Sequence, residues 1–252
     1  MTSVRQDWQR VTISKTRLDA SPRSAAPAVD PLRRRNEGVL QFLERPALRW
    51  LSASLPGWVT PDMLTATGFA GGIIAAAGYA LAAQNPAMLW IASAGILVNW
   101  FGDSLDGNVA RVRGIERPAY GFFLDNTTDV LEYAVFAVGM GLSGYVRWEL
   151  VLATLAAFYM MMLLELIKAR VTNVFQISFA GVGLTEVRAL FILVNLVMYF
   201  IPPEPFVIVG VTTTYPNVIS ALWIAIQGAT FLVIMFQTLR ELAVQDPPRR
   251  AR

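Results

Sequence analysis

Asp103-Ser104-Leu105-Asp106-Gly107-Asn108-Val109-Ala110-Arg111 closes one long apolar run, and Gly121-Phe122-Phe123-Leu124-Asp125-Asn126-Thr127-Thr128-Asp129 opens the next. Residues three and four apart share a helix face. Asp103, Asp106, Gly107 and Ala110 therefore form one stripe, and Gly121, Asp125 and Asp129 form another. Only residues 113–118 separate the two runs, so they make an antiparallel hairpin with its acids at similar depth. Carboxylates packed this closely cannot all ionise without cations between them. The bland alternative is a set of structural acids capped by Arg or Ser. A cage of acids flanked by small residues suits divalent metal, and divalent metal suits phosphate.

Outward from this hairpin the chain stays apolar. Of its 252 residues, 55% are hydrophobic and 15% charged, and about 20 apolar residues cross a bilayer. Segments of that kind lie near 63–83, 86–112, 119–142, 148–168, 186–201 and 216–239. The expected fold is all-α and integral to the membrane, with six transmembrane helices over 60–241 preceded by an amphipathic interfacial helix over 37–59. In that juxtamembrane stretch Val39, Leu40, Phe42, Leu43, Leu48, Trp50 and Leu51 alternate with Glu44, Arg45 and Arg49. This pattern predicts a helix lying in the interface, broken or turned at Pro46. A helix packed on a cytosolic partner is the alternative. Residues 1–36 are polar and basic without an apolar core, which predicts a disordered arm rather than a leader peptide. Residues 242–252 read as a cytosolic tail.

Thr60-Pro61-Asp62 starts the first span, with Thr60 as cap, Pro61 at the first helical position and Asp62 in the first turn. Gly68, Gly71, Gly72 and Ala75 then allow neighbouring helices to approach closely. Pro202-Pro203-Glu204-Pro205 opens the longest loop on the far side, and the run 206–211 is expected to lie against the membrane surface. No internal repeat is visible, so an inverted-repeat transporter has no support.

Charge gives the orientation. Every Lys and Arg except Arg147 falls before the first span, in the alternate loops or in the tail. By the positive-inside rule both termini and both ends of the acidic hairpin face the cytosol, as in a multi-pass protein of the cell's inner membrane. The net charge of +3 is thus a matter of topology, and nucleic-acid binding is not expected. The chain has no Cys and no His. That removes thiolate nucleophiles, thiolate or imidazole zinc sites and imidazole bases. A resident metal must be a hard cation held by oxygen, Mg²⁺ or Mn²⁺, and a general base must be a carboxylate, Lys or Tyr.

Two cations bridged by shared carboxylates suit in-line attack at phosphorus. Gly107 and Ala110 leave room for a flat group against the second span, and Arg111 and Arg117 supply fixed positive charge for phosphate oxygens. A cation transporter is the rival from another class. It expects acids near the bilayer midplane on broken helices, whereas these acids cluster at one boundary and no Pro interrupts their helices.

The series Asp103, Asp106, Gly107, Ala110, Arg111, Gly121, Asp125 and Asp129, at these spacings, resembles the signature of the CDP-alcohol phosphotransferases. The resemblance implies membrane enzymes of phospholipid synthesis with six helices around the active site. It implies that Asp103 and Asp125 bridge two metal ions, that Asp106 completes one site, and that Asp129 completes the other and deprotonates the acceptor hydroxyl. Gly107, Ala110, Arg111 and Gly121 would border the CDP moiety of the donor, with Arg117 reaching its phosphates. Pro61, Asp62 and Thr65 resemble a family segment, Pro-Asn-x-x-Thr, that lines the nucleotide pocket. Asp62 departs from it by standing where Asn is usual, which leaves Asp62 either on the nucleotide or facing solvent as a capping residue.

The reaction so implied moves a substituted phosphate from a CDP-alcohol to an acceptor hydroxyl and releases CMP. The expected pair is CDP-diacylglycerol with a small polar acceptor. Thr185-Glu186 resembles a turn of the choline- and ethanolaminephosphotransferase branch, where the donor is a CDP-amino alcohol and the acceptor diacylglycerol, so that variant stands beside it. Lys168, Arg170 and Arg188 open to the acidic side and are expected either to bind an anionic acceptor or simply to set topology. A homodimer is also implied, and Gly139 and Gly141 would allow close helix contact for it.

Overall fold

Each expected span is a helix in the computed structural model, which describes residues 33–35, 40–172, 174–176 and 183–246. In chain order the elements are β1 (Arg33–Arg35), α1 (Gln41–Ser54), α2 (Pro61–Ala82), α3 (Met88–Val112), α4 (Pro118–Leu142), α5 (Trp148–Thr172), β2 (Val174–Gln176), α6 (Leu184–Phe200), β3 (Phe206–Ile208), β4 (Val211–Thr213) and α7 (Tyr215–Gln245). The chain is all-α apart from these short strands. α2 starts as its sequence requires: Thr60 Oγ1 accepts the Met63 amide at 3.2 Å, and Pro61 takes the position that needs no donor.

Among the described residues four helices, α2, α3, α5 and α7, are long and apolar enough to cross a membrane. The expectation was six. α4 does not qualify because Asp125, Asp129 and Glu132 all lie within it. α6 is short at 17 residues and carries Glu186 and Arg188 in its opening turns. Asp125, Asp129 and Glu132, which keep α4 from qualifying, all line the candidate site.

Glycine decides how the first helices pack. A Cβ on Gly71 would collide with the backbone of Asn99, and one on Gly78 with the backbone of Ala92. Gly95 and Gly102 sit as tightly on Ala75 and Gly68. Rising numbers on α2 meet falling numbers on α3, so the pair is antiparallel with main chains in contact. α4 lies on another side of α2, with Gly72 facing Glu132 and Gly139 facing Ala76, and runs parallel to α2. Gly139 is therefore consumed inside the chain, and Gly141 is covered by Trp148. Neither is available for the dimer contact expected of them.

α6 joins α3 antiparallel. Tyr79 donates to Asn195 Oδ1 at 2.8 Å, and Asn195 Nδ2 donates to Ser93 Oγ at 3.0 Å. This buried polar node ties α2, α3 and α6 together beside a core of Tyr79, Ala82, Leu89, Ala92 and Met198. At the other end Leu48, Leu64, Leu105 and Val109 form a second core. There Arg113 donates to the carbonyls of Val59, Leu55 and Pro56, fastening the α1–α2 linker under the end of α3.

Several expectations need correction. α1 runs unbroken through Pro46, which leaves the Phe42 carbonyl without its helical donor. Arg33–Arg35, expected within a disordered arm, form β1 and pair in parallel with Val174–Gln176; the rest of 1–36 lies outside the described residues. α7 continues to Gln245, past the expected start of the tail, whose last residues are likewise not described. The 206–211 run, expected against the membrane surface, holds secondary structure of its own. β3 and β4 form an antiparallel hairpin whose turn puts Val209 and Gly210 at φ 47° and 78°, the left-handed pair a two-residue turn requires.

Candidate active site

α3 delivers Asp103, and α4 delivers Asp125 and Asp129. One carboxylate oxygen from each can be chosen so that all lie within 4.8 Å of one another. Gly68 makes this possible on the α2 side: a Cβ there would stand 3.1 Å from the Asp103 amide, so any larger residue would push α3 outward. Thr65, Gly68, Phe69, Thr128 and Glu132 complete the lining of the cleft, whose volume is about 10 Å³, room for roughly one water. Glu132, three residues beyond Asp129, lies over Gly72.

Asp106 is placed differently from its expected partners. It sits a turn along α3, outside the three-acid cluster. Its Oδ2 accepts the Thr65 hydroxyl at 2.6 Å, and its Oδ1 accepts the Gly107 amide. Thr65 also donates to the Pro61 carbonyl at 3.3 Å. The Pro61-to-Thr65 segment thus meets the acidic stripe through this hydroxyl, a contact that spacing along one helix cannot reveal.

Arg188 was expected on the acceptor side. The structure puts its Nη2 2.6 Å from Asp103 Oδ2, with the two side chains 13% and 20% exposed. Shielded to that degree, the pair escapes most salt screening, and it offsets part of the negative charge of the cluster. Lys168 is half-buried and Arg170 exposed on the last turns of α5. The Gly181 end of the intervening loop lies outside the described residues.

At the mouth of the cleft Arg117, the N-cap of α4, donates to both oxygens of Asp62 at 2.5 and 2.6 Å. Its guanidinium lies 3.8 Å from the centre of the Tyr120 ring. The Asp62 carboxylate holds the Arg117 guanidinium above its ordinary range. Asp62, half-exposed in the first turn of α2, is the counter-ion of the residue expected to meet phosphate. Arg111 lies against Gly107, where a Cβ would be 3.4 Å from its Nη1, and donates to Asn108 Oδ1 at 3.0 Å. Gly121 faces open space, and Ala110 is half-buried. Thr185 and Glu186 make structural contacts, Thr185 donating to Glu44 and Glu186 accepting amides of Leu40 and Gly183.

The cluster offers only carboxylate oxygen, so it fits a hard divalent cation such as Mg²⁺ or Mn²⁺. α3 and α4 run unbroken past these acids, unlike the interrupted helices a transport site uses.

Residues 58–233 match the family profile described as CDP-alcohol phosphatidyltransferase. The chain is 39% identical over 102 residues to the archaetidylinositol phosphate synthase of Pyrococcus horikoshii, covering 40% of this chain and 51% of that protein. It is 30% identical over 143 residues to the archaetidylinositol phosphate synthase of Methanothermobacter thermautotrophicus, covering 56% of this chain and 69% of that protein. The chain thus spans about half the length of the first relative and over two-thirds of the second. The profile takes in all of α2 through α6 and most of α7, with every acid of the cleft inside it, and the chain belongs to the CDP-alcohol phosphatidyltransferase family, a family of phosphotransferases of phospholipid biosynthesis.

Proposed function

We propose that this protein transfers the phosphatidyl-type group of a CDP-linked lipid to the hydroxyl of a phosphorylated polyol, inositol phosphate first among them, and releases CMP. The observation that carries this reading is the convergence of Asp103, Asp125 and Asp129 beside Asp106. The headgroup in the names of both relatives supports the acceptor. Asp103, Asp106, Asp125 and Asp129 would hold Mg²⁺ or Mn²⁺, two ions in this reading, which when bound supply neutralising charge to the diphosphate. Asp129 takes the proton of the acceptor hydroxyl, the one carboxylate of α4 with Glu132 a turn behind it. Thr65 fixes the rotamer of Asp106. Gly107, Ala110 and Gly121 leave space for the nucleotide, and Arg111 and Arg117 bind its phosphates. The CDP-amino alcohol variant ranks second, because the relatives' names carry an inositol phosphate headgroup.

In this reading all six long helices cross the membrane, α2, α4 and α6 leaving the cytosolic side and α3, α5 and α7 returning to it. α1 lies in the cytosolic interface, its exposed Phe42 and Trp50 among Arg45 and Arg49 suiting the headgroup layer. The lipid donor enters laterally and the polar acceptor from the cytosol. A homodimer has to use faces other than the one at Gly139.

The test is CMP release from purified protein in lipid. CDP-diacylglycerol and CDP-archaeol are each paired with inositol phosphate, glycerol phosphate and serine, and CDP-choline is paired with diacylglycerol. The expected result is release with a lipid donor and inositol phosphate, lost in chelator and restored by Mg²⁺ or Mn²⁺. Release only from CDP-choline with diacylglycerol, or release untouched by chelator, would overturn the assignment. Asp62→Asn, which keeps a partner for Arg117 but removes the competing charge, is expected to lower the donor KM by a few-fold at unchanged kcat, the modest effect of an exposed ion pair. A raised KM would place Asp62 on the nucleotide instead.

A further inference from the structure

Glu44 lies outside the acid cluster yet touches the supports of both partners in its ion pair. Glu44 Oε1 accepts from Trp100 Nε1 at 3.0 Å and Ser104 Oγ at 3.4 Å, both on α3, and from Thr185 Oγ1 at 2.8 Å on α6. Ser104 follows Asp103 directly and Trp100 precedes it by one turn. Thr185 precedes Arg188 by one turn. A single oxygen of α1 therefore binds the stretches that carry Asp103 and Arg188, whose own contact is 2.6 Å.

The hold of α1 on α6 is reciprocal. Glu186 Oε1 accepts the Leu40 amide at 2.7 Å at the head of α1, and its Oε2 accepts the Gly183 amide at 2.8 Å at the head of α6. Arg113 secures the far end of α1 to the end of α3. α1 is thus fastened at both ends, and Glu44 is where it meets α3 and α6 at once. Removing that acceptor leaves half-buried donors on two helices without it, and the register of α6 against α3 is then left to the Arg188–Asp103 contact and, further along, to the Asn195–Ser93 hydrogen bond.

We infer that Glu44 is a positioning residue of the transfer reaction: it locks α6 to α3 in the register that presents Arg188 to Asp103, and through that pair it sets the orientation of the acid cluster. The catalytic part of this inference rests on the proposed reaction; the register part does not. A misplacement of about 1 Å at a reacting centre costs on the order of 100-fold, so the effect is measurable.

The experiment uses the full chain in lipid nanodiscs, as wild type and as Glu44→Gln, Glu44→Leu, Arg188→Gln and the Glu44→Leu/Arg188→Gln pair. Because the chain has no Cys, spin labels at Val112→Cys and Leu193→Cys, both on exposed positions, report the α3–α6 distance cleanly. Glu44→Gln, which keeps an accepting oxygen, is expected to retain kcat within about threefold, and Glu44→Leu to lower it about 10- to 100-fold with donor KM little changed. Glu44→Leu should broaden the α3–α6 distance distribution and add no further loss in the Arg188→Gln background. Should Glu44→Leu fail to fold, Thr185→Val removes only the α6 arm and should reproduce its kcat loss.

Multiplicative losses in the double variant, a fall in thermal midpoint with kcat intact, or an unaltered distance distribution would each overturn the inference. Absence of CMP release by the wild type with every pair would defeat the proposed reaction, while the distance measurement would still decide whether Glu44 sets the register.

Discussion

Asp129→Asn is expected to cut CMP release by about 10²- to 10⁴-fold, the range a general base contributes, while leaving most CDP binding in place. Asn keeps the shape of the side chain and can still accept one hydrogen bond, but it cannot take the acceptor's proton. No imidazole exists anywhere in the chain to substitute for it. Asp103 is engaged by Arg188 and Asp106 by Thr65 and the Gly107 amide, so the acids of α3 are poorly placed to take over. Asp125, within the same cluster, and Glu132, which lines the same cleft, are the nearby carboxylates of α4 that could. The measurement is single-turnover CMP release together with equilibrium binding of CDP. Activity retained within about tenfold would remove Asp129 as the base and make Glu132→Gln the next variant.

The second large effect is on the fold. Gly71→Ala adds one carbon where the backbone of Asn99 already stands. Backbone cannot rotate away as a side chain can, so α2 and α3 must separate along their tightest line of contact. Overpacking of this kind costs about 1–3 kcal/mol where side chains can yield, and more is expected here. Asn99 is four residues from Asp103, so the displacement reaches the acid cluster as well. Thermal unfolding in detergent should show a large drop in midpoint, with little active protein recovered. Gly228→Ala is the matching control: a Cβ there meets nothing within 4 Å, and the change should stabilise α7 slightly through helix propensity. Equal effects from the two substitutions would mean that the α2–α3 contact is not the tight one.

Much of this architecture was legible because the physics is local. Apolar length marks helices, Thr60-Pro61 marks a start, and i, i+3, i+4 spacing places Asp125 and Asp129 on one face whatever the rest of the chain does. The short hairpin at 113–118 was enough to bring Asp103 to the same level. What escaped depends on neighbours distant in sequence. Asp106 belongs to the same stripe as Asp103, yet Thr65 from α2 claims it. Arg188 carried the signature of a topology-setting or acceptor residue, and only the antiparallel packing of α6 on α3 reveals its partner. Gly139 looked like an oligomer contact because small residues report that some backbone comes close, never whose. Pro46 misled because a helix break was expected from residue type alone, whereas α1 is held at both ends by contacts distant in sequence, Glu186 at its head and Arg113 at its tail. The hairpin at 206–213 carried a readable signal, β-branched residues on both sides of Gly210, that membrane-surface reasoning passed over.

The length of α7 governs where its polar end stands. Its 31 residues rise about 46 Å, against a hydrocarbon layer of about 30 Å. Absorbing the whole excess by leaning would need a tilt near 50°, beyond the 0–40° range that spanning helices adopt. The excess instead emerges at the polar end, where Arg240 rests on the Phe236 ring 4.2 Å away. Gln245 is thereby carried on a stalk clear of the lipid, and a reporter attached at Gln245 would stand off the membrane surface.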